Sequence, residues 1–345
     1  MNQDTLKRRF RFIIFGLFCL LLITAVISLS VGRYTKISFF DAISIVGNYI
    51  FGIRDGGYTQ NAFSVITQLR LPRIIAAVLV GAALSASGAT YQNLFSNPIA
   101  SPDTLGVSNA ASFGAVLGIV LGFSLSFSKI VAFAMGCIVV FIVFFSAAKL
   151  NKGNNLTVYL LLIGMIMSSV FSALLSVLKY VADPDNQLPQ ITYWLMGSMS
   201  KLTMDDLKLY AIFFALGIIP LVLLRWRMNL LTLSEAEAQS LGENTTQLRG
   251  ISILCATLLT ASSTAMTGGI SWVGLIIPHM VRQVVGNDFK YVLPVSMLGG
   301  GIFLLIMDDL ARTITINELP ISIMTSLVGA PLFFGLLIYN RRRRI

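Results

Sequence analysis

The chain has 345 residues, 56% hydrophobic and 12% charged, with a mean hydropathy of +0.81. About a quarter of the residues of a soluble domain are charged, so this composition excludes an ordinary soluble globular protein and indicates a polytopic helical membrane protein. The net charge of +10 would suggest nucleic acid for a soluble chain, but lysine and arginine gathered on cytoplasmic segments account for it here, and no nucleic-acid partner is expected.

Taken in chain order, the apolar runs predict ten spans, at 10–32, 74–95, 105–123, 130–148, 157–180, 207–225, 251–267, 272–285, 291–310 and 321–339. The first follows "LKRRFRF" and has an apolar core of about 20 residues, longer than the ~7–15 of a signal peptide, so it reads as a retained span. The third and eighth are short or marked by Gly and Pro, which predicts broken or tilted helices. Between the first two spans, 33–69 contains "SFFDAISIVGNYIFG", whose partly helical spacing suits a segment lying along the outer interface. With the N-terminus inside, cytoplasmic segments hold Lys7, Arg8, Arg9, Arg11, Lys149, Lys152, Arg225, Arg227, Arg249, Arg282, Lys290 and Arg341 to Arg344. That bias places both termini in the cytoplasm, and the final arginines serve as an anchor on anionic headgroups.

Residues 228–250, "MNLLTLSEAEAQSLGENTTQLRG", form the longest polar stretch facing the cell interior and read as two short helices. Ser234 and Glu237 have capping-box spacing. Gly242 suits a helix C-terminus, and Asn244 or Thr245 can start the next helix. The segment is either a solvated connector or a docking knob. Residues 184–200, "PDNQLPQITYWLMGSMS", lie outside and read as a contact for a partner, a lining of the outer mouth, or a plain connector.

Catalytic chemistry is missing. No G-x-x-x-x-G-K-[ST] loop, H-E-x-x-H, G-x-S-x-G or Cys pair occurs. His279 is the single histidine, and Cys19, Cys137 and Cys255 stand far apart in apolar runs. Within the spans carboxylates are scarce, with Asp308 and Asp309 near the external end of the ninth, so an ion-driven pump lacks its usual mid-membrane groups. The chain reads as a path whose engine is another subunit: not an enzyme, and with no cofactor of its own. The spans are rich in small residues, as in "VGAALSASGAT", which let helices approach closely. Met165, Met167, Phe171 and Trp194 read as core or interface residues.

Three stretches resemble one family. "LRLPRIIAAVLVGAALSASGATYQNLFSNPIASPDTLGVSNAASFGAVLG" (69–118), "GGISWVGLIIPHMVRQVVG" (268–286) and "ELPISIMTSLVGAPLFFGLL" (318–337) are similar to the FecCD-type permeases of ABC importers for iron-siderophores, haem and vitamin B12, with molybdate carried by some relatives. The resemblance implies a single all-α permease domain over 1–345 with ten transmembrane helices, the second to fifth and seventh to tenth related as an inverted repeat. It implies a homodimer, or a pair with a paralogous permease, in a bacterial or archaeal plasma membrane. Two cytoplasmic ATPases would hold the ATP and Mg, and an extracytoplasmic binding protein would deliver the cargo, an iron-siderophore complex foremost.

The resemblance also assigns roles. Arg70, Arg73 and Arg312 match arginines that face outward and meet carboxylates of the binding protein, a task suited to the planar guanidinium fork. The residues alone leave open snorkelling to lipid or, for Arg312, an intrahelical pair with Asp308 or Asp309. Glu235, Glu237, Ser240, Leu241, Gly242 and Arg249 match the loop that seats in the ATPase. Asn97, Pro98 and Ile99, with Thr157, match a cytoplasmic constriction, although Asn-Pro is also a common turn starter.

Overall fold

The computed structural model describes residues 3–32, 37–52, 58–151, 156–233, 235–315 and 317–343, with side chains at all of these but 3–7, 235–236 and 339–343. The described residues form fourteen α-helices. They run α1 Gln3–Ser30, α2 Phe39–Ile50, α3 Gln60–Ser64, α4 Leu71–Leu94, α5 Val107–Val120, α6 Leu125–Leu150 and α7 Leu156–Val181. Then follow α8 Gln187–Leu195, α9 Met204–Leu224, α10 Glu235–Ser240, α11 Thr245–Thr267, α12 Val273–Val285, α13 Phe289–Thr313 and α14 Ile321–Arg343.

Each predicted span meets a helix. Eight are long and apolar enough to cross a membrane, α3 and α4 counting as one continuous rod, Gln60–Leu94. The other two are α5 and α12, of 14 and 13 residues. At about 1.5 Å per residue these reach only some two thirds of the ~30 Å hydrocarbon core. Both start deep in the bundle: Gly274, at the head of α12, faces the Leu84 carbonyl and Pro102. From there α12 runs to the end of the bundle that carries Asp288. Helix α5 runs the opposite way, to Val120, whose carbonyl accepts Gln187 Nε2 at 3.2 Å. The half-length helices thus occupy matching places in two oppositely directed halves, α4–α7 and α11–α14.

The rod Gln60–Leu94 extends the second span well beyond 74–95. Thr59 caps its start, its Oγ1 accepting from Ala62 N at 3.3 Å. Pro72 should break such a helix, since it has no N–H and its ring crowds the carbonyl four residues back. The turn before it is π-helical, Val65–Arg70, and this wider turn makes the room. Helix α2 packs Ala42 and Ile45 inward and leaves Phe40 and Ile50 exposed, the amphipathic segment expected within 33–69.

Helices α4 and α11 form the buried axis, with 78% of their membrane-length windows buried, against 11%, 17% and 22% for α1, α7 and α14. The axis is built on small residues. A Cβ on Gly81 would strike the Gly300 carbonyl of α13, and one on Gly88 the Gly274 carbonyl of α12. The hydroxyls of α11 are satisfied at home: Ser252, Thr257, Thr260, Ser263 and Thr267 each bond the carbonyl four residues back. Ser87 of α4 adds a cross-link to Thr260 Oγ1 at 2.7 Å. A helix this rich in hydroxyls therefore enters the core with its polar groups paired.

Candidate functional sites at the two ends of the bundle

One end gathers the three arginines singled out in the sequence. Arg73 Nε lies 2.8 and 3.0 Å from the two carboxylate oxygens of Asp308, and Nη1 lies 2.7 Å from Glu318 Oε2. Arg312 Nε is 3.2 Å from Asp308 Oδ2, and its Nη2 bonds Ser28 Oγ at 2.7 Å and also Asp309. Ser28 donates to Asp309 Oδ1 at 2.7 Å, and Arg70 Nη1 donates to the Leu29 carbonyl at 2.6 Å. Three cations and three carboxylates close the ends of α1, α4 and α13 together.

The expectation that these arginines stand open on the surface is corrected here. Arg70, Arg73 and Arg312 are 4%, 7% and 5% exposed, and Asp308 is fully buried. The physical reason is the cost of stripping water from a guanidinium, which is offset only by well-placed opposite charge. The chain supplies that charge itself, in part through the intrahelical pairing of Arg312 that sequence had left open.

Beside this cluster lies a cavity of about 470 Å³ lined by Lys129, Gln190, Trp194, Lys201, Thr267 and Glu318, among others. The 184–200 stretch walls it. Ser198 N bonds the Thr267 carbonyl at 2.8 Å, and Ile321 N and Ser322 N bond the carbonyls of Gly197 and Met196 at 3.1 and 3.2 Å. Lys129 pairs with Asp206 at 3.1 Å, while Asp206 also completes a capping box with Thr203 at the start of α9.

The opposite end carries the 228–250 segment. A 3-10 turn, Arg227–Thr232, is riveted to the bundle. Asn93 Nδ2 donates to the Met228 carbonyl at 2.7 Å, Asn229 Nδ2 to Asp288 Oδ1 at 2.7 Å, and Phe289 N to Asn229 Oδ1 at 2.8 Å. Arg227 then grips Glu243 with two parallel bonds of 2.8 and 2.6 Å. That hydrogen-bonded carboxylate holds the guanidinium above its usual range. Between these clamps α10 projects, with Glu237, Ser240, Leu241 and Gly242 exposed and Ala238 turned in.

Gly242 has φ +80°, the left-handed conformation its position calls for, and Glu243 N bonds back to the Ala238 carbonyl at 3.1 Å. Asn244 caps α11 through Gln247 N at 3.0 Å. Ser234 lies outside the described residues, as does the side chain of Glu235. Two expectations change here. The second short helix is the first part of the long α11, so Arg249 in its second turn is buried, 8% exposed, instead of standing on a knob.

At the same end, α4 stops in a turn that brings Asn97, Pro98 and Ile99 together. Asn97 Oδ1 accepts from Ile99 N at 3.0 Å, Ser96 has φ +46°, and Ile99 is 66% exposed. Thr157 is on a separate element, half-buried in the first turn of α7. Helix α4 is stapled to α12 just above, by Gln92 Nε2 on the Leu275 carbonyl at 3.0 Å and Arg282 Nη2 on the Ala89 carbonyl at 3.3 Å.

Sequence reading missed Ser28, Asn93, Glu243 and Glu318. Each acts across a gap of 16 to 281 residues, and no local pattern marks such a pairing. Asp308 and Asp309 were visible as carboxylates at the end of a span, with Arg312 as an open partner for either, but the pairing of Asp308 with Arg73 was not.

Known proteins resemble this chain along its length. Residues 20–339 match the FecCD transport family. The chain is 42% identical over 335 residues to the molybdate import system permease protein of Haemophilus influenzae, covering 96% of each. It is 39% identical over 277 residues to a probable iron chelatin transport system permease protein of Helicobacter pylori, covering 80% of this chain and 83% of that one. A solved structure described as an inward-facing, metal-chelate type ABC transporter superposes with a TM-score of 0.84 at 40% identity, covering 95% of this chain and 99% of that one. Helices matching the predicted spans, a packed small-residue axis and full-length likeness to import permeases agree: this integral membrane protein belongs to the FecCD transport family of ABC-importer permeases.

Proposed function

We propose that the chain is the permease subunit of an ATP-driven importer that passes a metal chelate, an iron-siderophore complex foremost, from an extracytoplasmic binding protein into the cytoplasm. The observation that carries this reading is the confinement of the ion pairs. Every ion pair among the described residues lies at one end of the bundle or the other. Such a chain has two docking ends and a path between them. Molybdate is the second reading, favoured by the 42% identity over 96% of the chain to a molybdate import permease. Reconstitution with the ATPase and binding protein tests both. Uptake of a radiolabelled ferric siderophore that requires ATP supports the first, and uptake of molybdate alone replaces it with the second.

In this reading the arginine end faces outside and receives the binding protein at Arg70, Arg73 and Arg312. Arg73→Lys keeps the charge but loses the fork, so binding-protein affinity drops while its salt dependence is retained. An unchanged affinity defeats the docking role. Glu235, Glu237, Ser240, Leu241 and Gly242 seat in the ATPase, with Arg249 stiffening the shaft behind them. Asn97, Pro98 and Ile99 narrow the inner mouth, and Thr157 contributes from α7. The weakly buried faces of α7 and α14 are left for lipid and a second permease copy.

A further inference from the structure

Glu318 stands apart from the other carboxylates of the arginine cluster. Its side chain is 32% exposed, whereas Asp308 is closed to solvent. It also begins a strap. Leu319 N bonds the Ala311 carbonyl at 3.1 Å, tying the strap to the end of α13. Ile321 N and Ser322 N bond Gly197 and Met196, tying it to the turn after α8, and Ser198 N ties that turn to the end of α11. On one side of α8 is the cavity of about 470 Å³, and on the other a cleft of about 960 Å³. The wall common to both is Tyr193, Glu318, Leu319 and Pro320.

We propose that Glu318 is the chain's own stand-in for the docking carboxylate: an arriving carboxylate replaces it on Arg73, and its release frees the strap and the 196–198 turn, joining cavity and cleft into one mouth. The proposal rests on the docking reading above. The exchange is feasible because Arg73 is never left unpaired. Its Nε stays on Asp308, while Nη1 trades one carboxylate for another. Glu318, already partly in water, regains hydration on leaving. Asp308 cannot make the same move, because it holds Arg312 as well and is wholly buried. The site therefore selects a partner that presents a carboxylate, and it converts binding into backbone release.

Hydrogen exchange on the full-length permease in lipid nanodiscs tests this. In Glu318→Gln, amides in 194–202 and in 317–325 should both exchange about tenfold faster, the scale of one lost charge-assisted hydrogen bond, with α4 and α11 unchanged. Arg73→Lys, which has one nitrogen where Arg73 uses Nε for Asp308 and Nη1 for Glu318, should give the same result if the first variant is poorly made. Acceleration confined to 317–325, or none, overturns the strap. Adding the binding protein that co-purifies with the assembled importer should accelerate 194–202 in the wild type and add nothing in Glu318→Gln. If the variants respond but the binding protein does not, the strap stands and the docking reading falls. If the variants do not respond, the proposal falls whatever docking does.

Discussion

Asp308 has both its oxygens committed, to Arg73 at 2.8 and 3.0 Å and to Arg312 at 3.2 Å, in a site without solvent. Replacing both charges of a buried pair can be harmless, but removing one leaves its partner stranded. Asp308→Ala should therefore lower stability by about 3–5 kcal/mol, read as a large drop in the detergent melting temperature. A change within the range of a surface substitution would show that water reaches the cluster. Asp309→Ala should cost less, because Asp309 is not fully enclosed and Ser28 remains to accompany Arg312.

Among the elements, α4 has the least freedom. It meets α13 at Gly81 and α12 at Gly88, where backbone faces backbone. Gly88→Val would drive a branched side chain into the Gly274 carbonyl and should abolish folding or cut the yield of inserted protein severely. Gly335→Ala, on α14 with nothing within 4 Å of the added carbon, should be neutral or stabilise by up to about 1 kcal/mol. Equal tolerance at both positions would refute the close approach. The α10 knob is held by the Arg227–Glu243 clamp. Arg227→Ala should leave the bundle intact while α10 becomes several-fold more sensitive to protease added from the coupling end, and unchanged cleavage would show that Ala238 packing suffices.

At the scale of the whole molecule, the ion pairs among the described residues lie at the two ends, with Asp103 at the head of α5 a carboxylate set between them. This favours an ATP-driven permease over an ion-coupled transporter. An ion-coupled carrier needs carboxylates that load and unload within the membrane. Asp308 and Asp309 are engaged with arginines instead. In vesicles, transport should require ATP and be indifferent to imposed proton or sodium gradients. A gradient that drives uptake without ATP would overturn the assignment. Deleting Glu237–Gly242 should leave an inserted permease that no longer retains its ATPase on purification, and normal retention would remove the coupling role from α10.

The sequence by itself determined the membrane class, the ten apolar segments, the brevity of the third and eighth, and the cap at Gly242, because each follows from local composition, length or backbone preference. It also carried the family, through three motifs spread along the chain. Only the tertiary structure decided which charges meet. Arg73 finds Asp308 and Glu318 more than 230 residues away, and the resulting neutral cluster turns three expected surface arginines into buried ones. Likewise, only packing showed that α11 absorbs Arg249 and that the strap at 317–322 is bonded to the turn after α8. The physical reason is the same in each case: a helix end or a charge is stable wherever its partner is found, and for Arg73, Asn93 and Asp309 partners lie on other elements far along the chain.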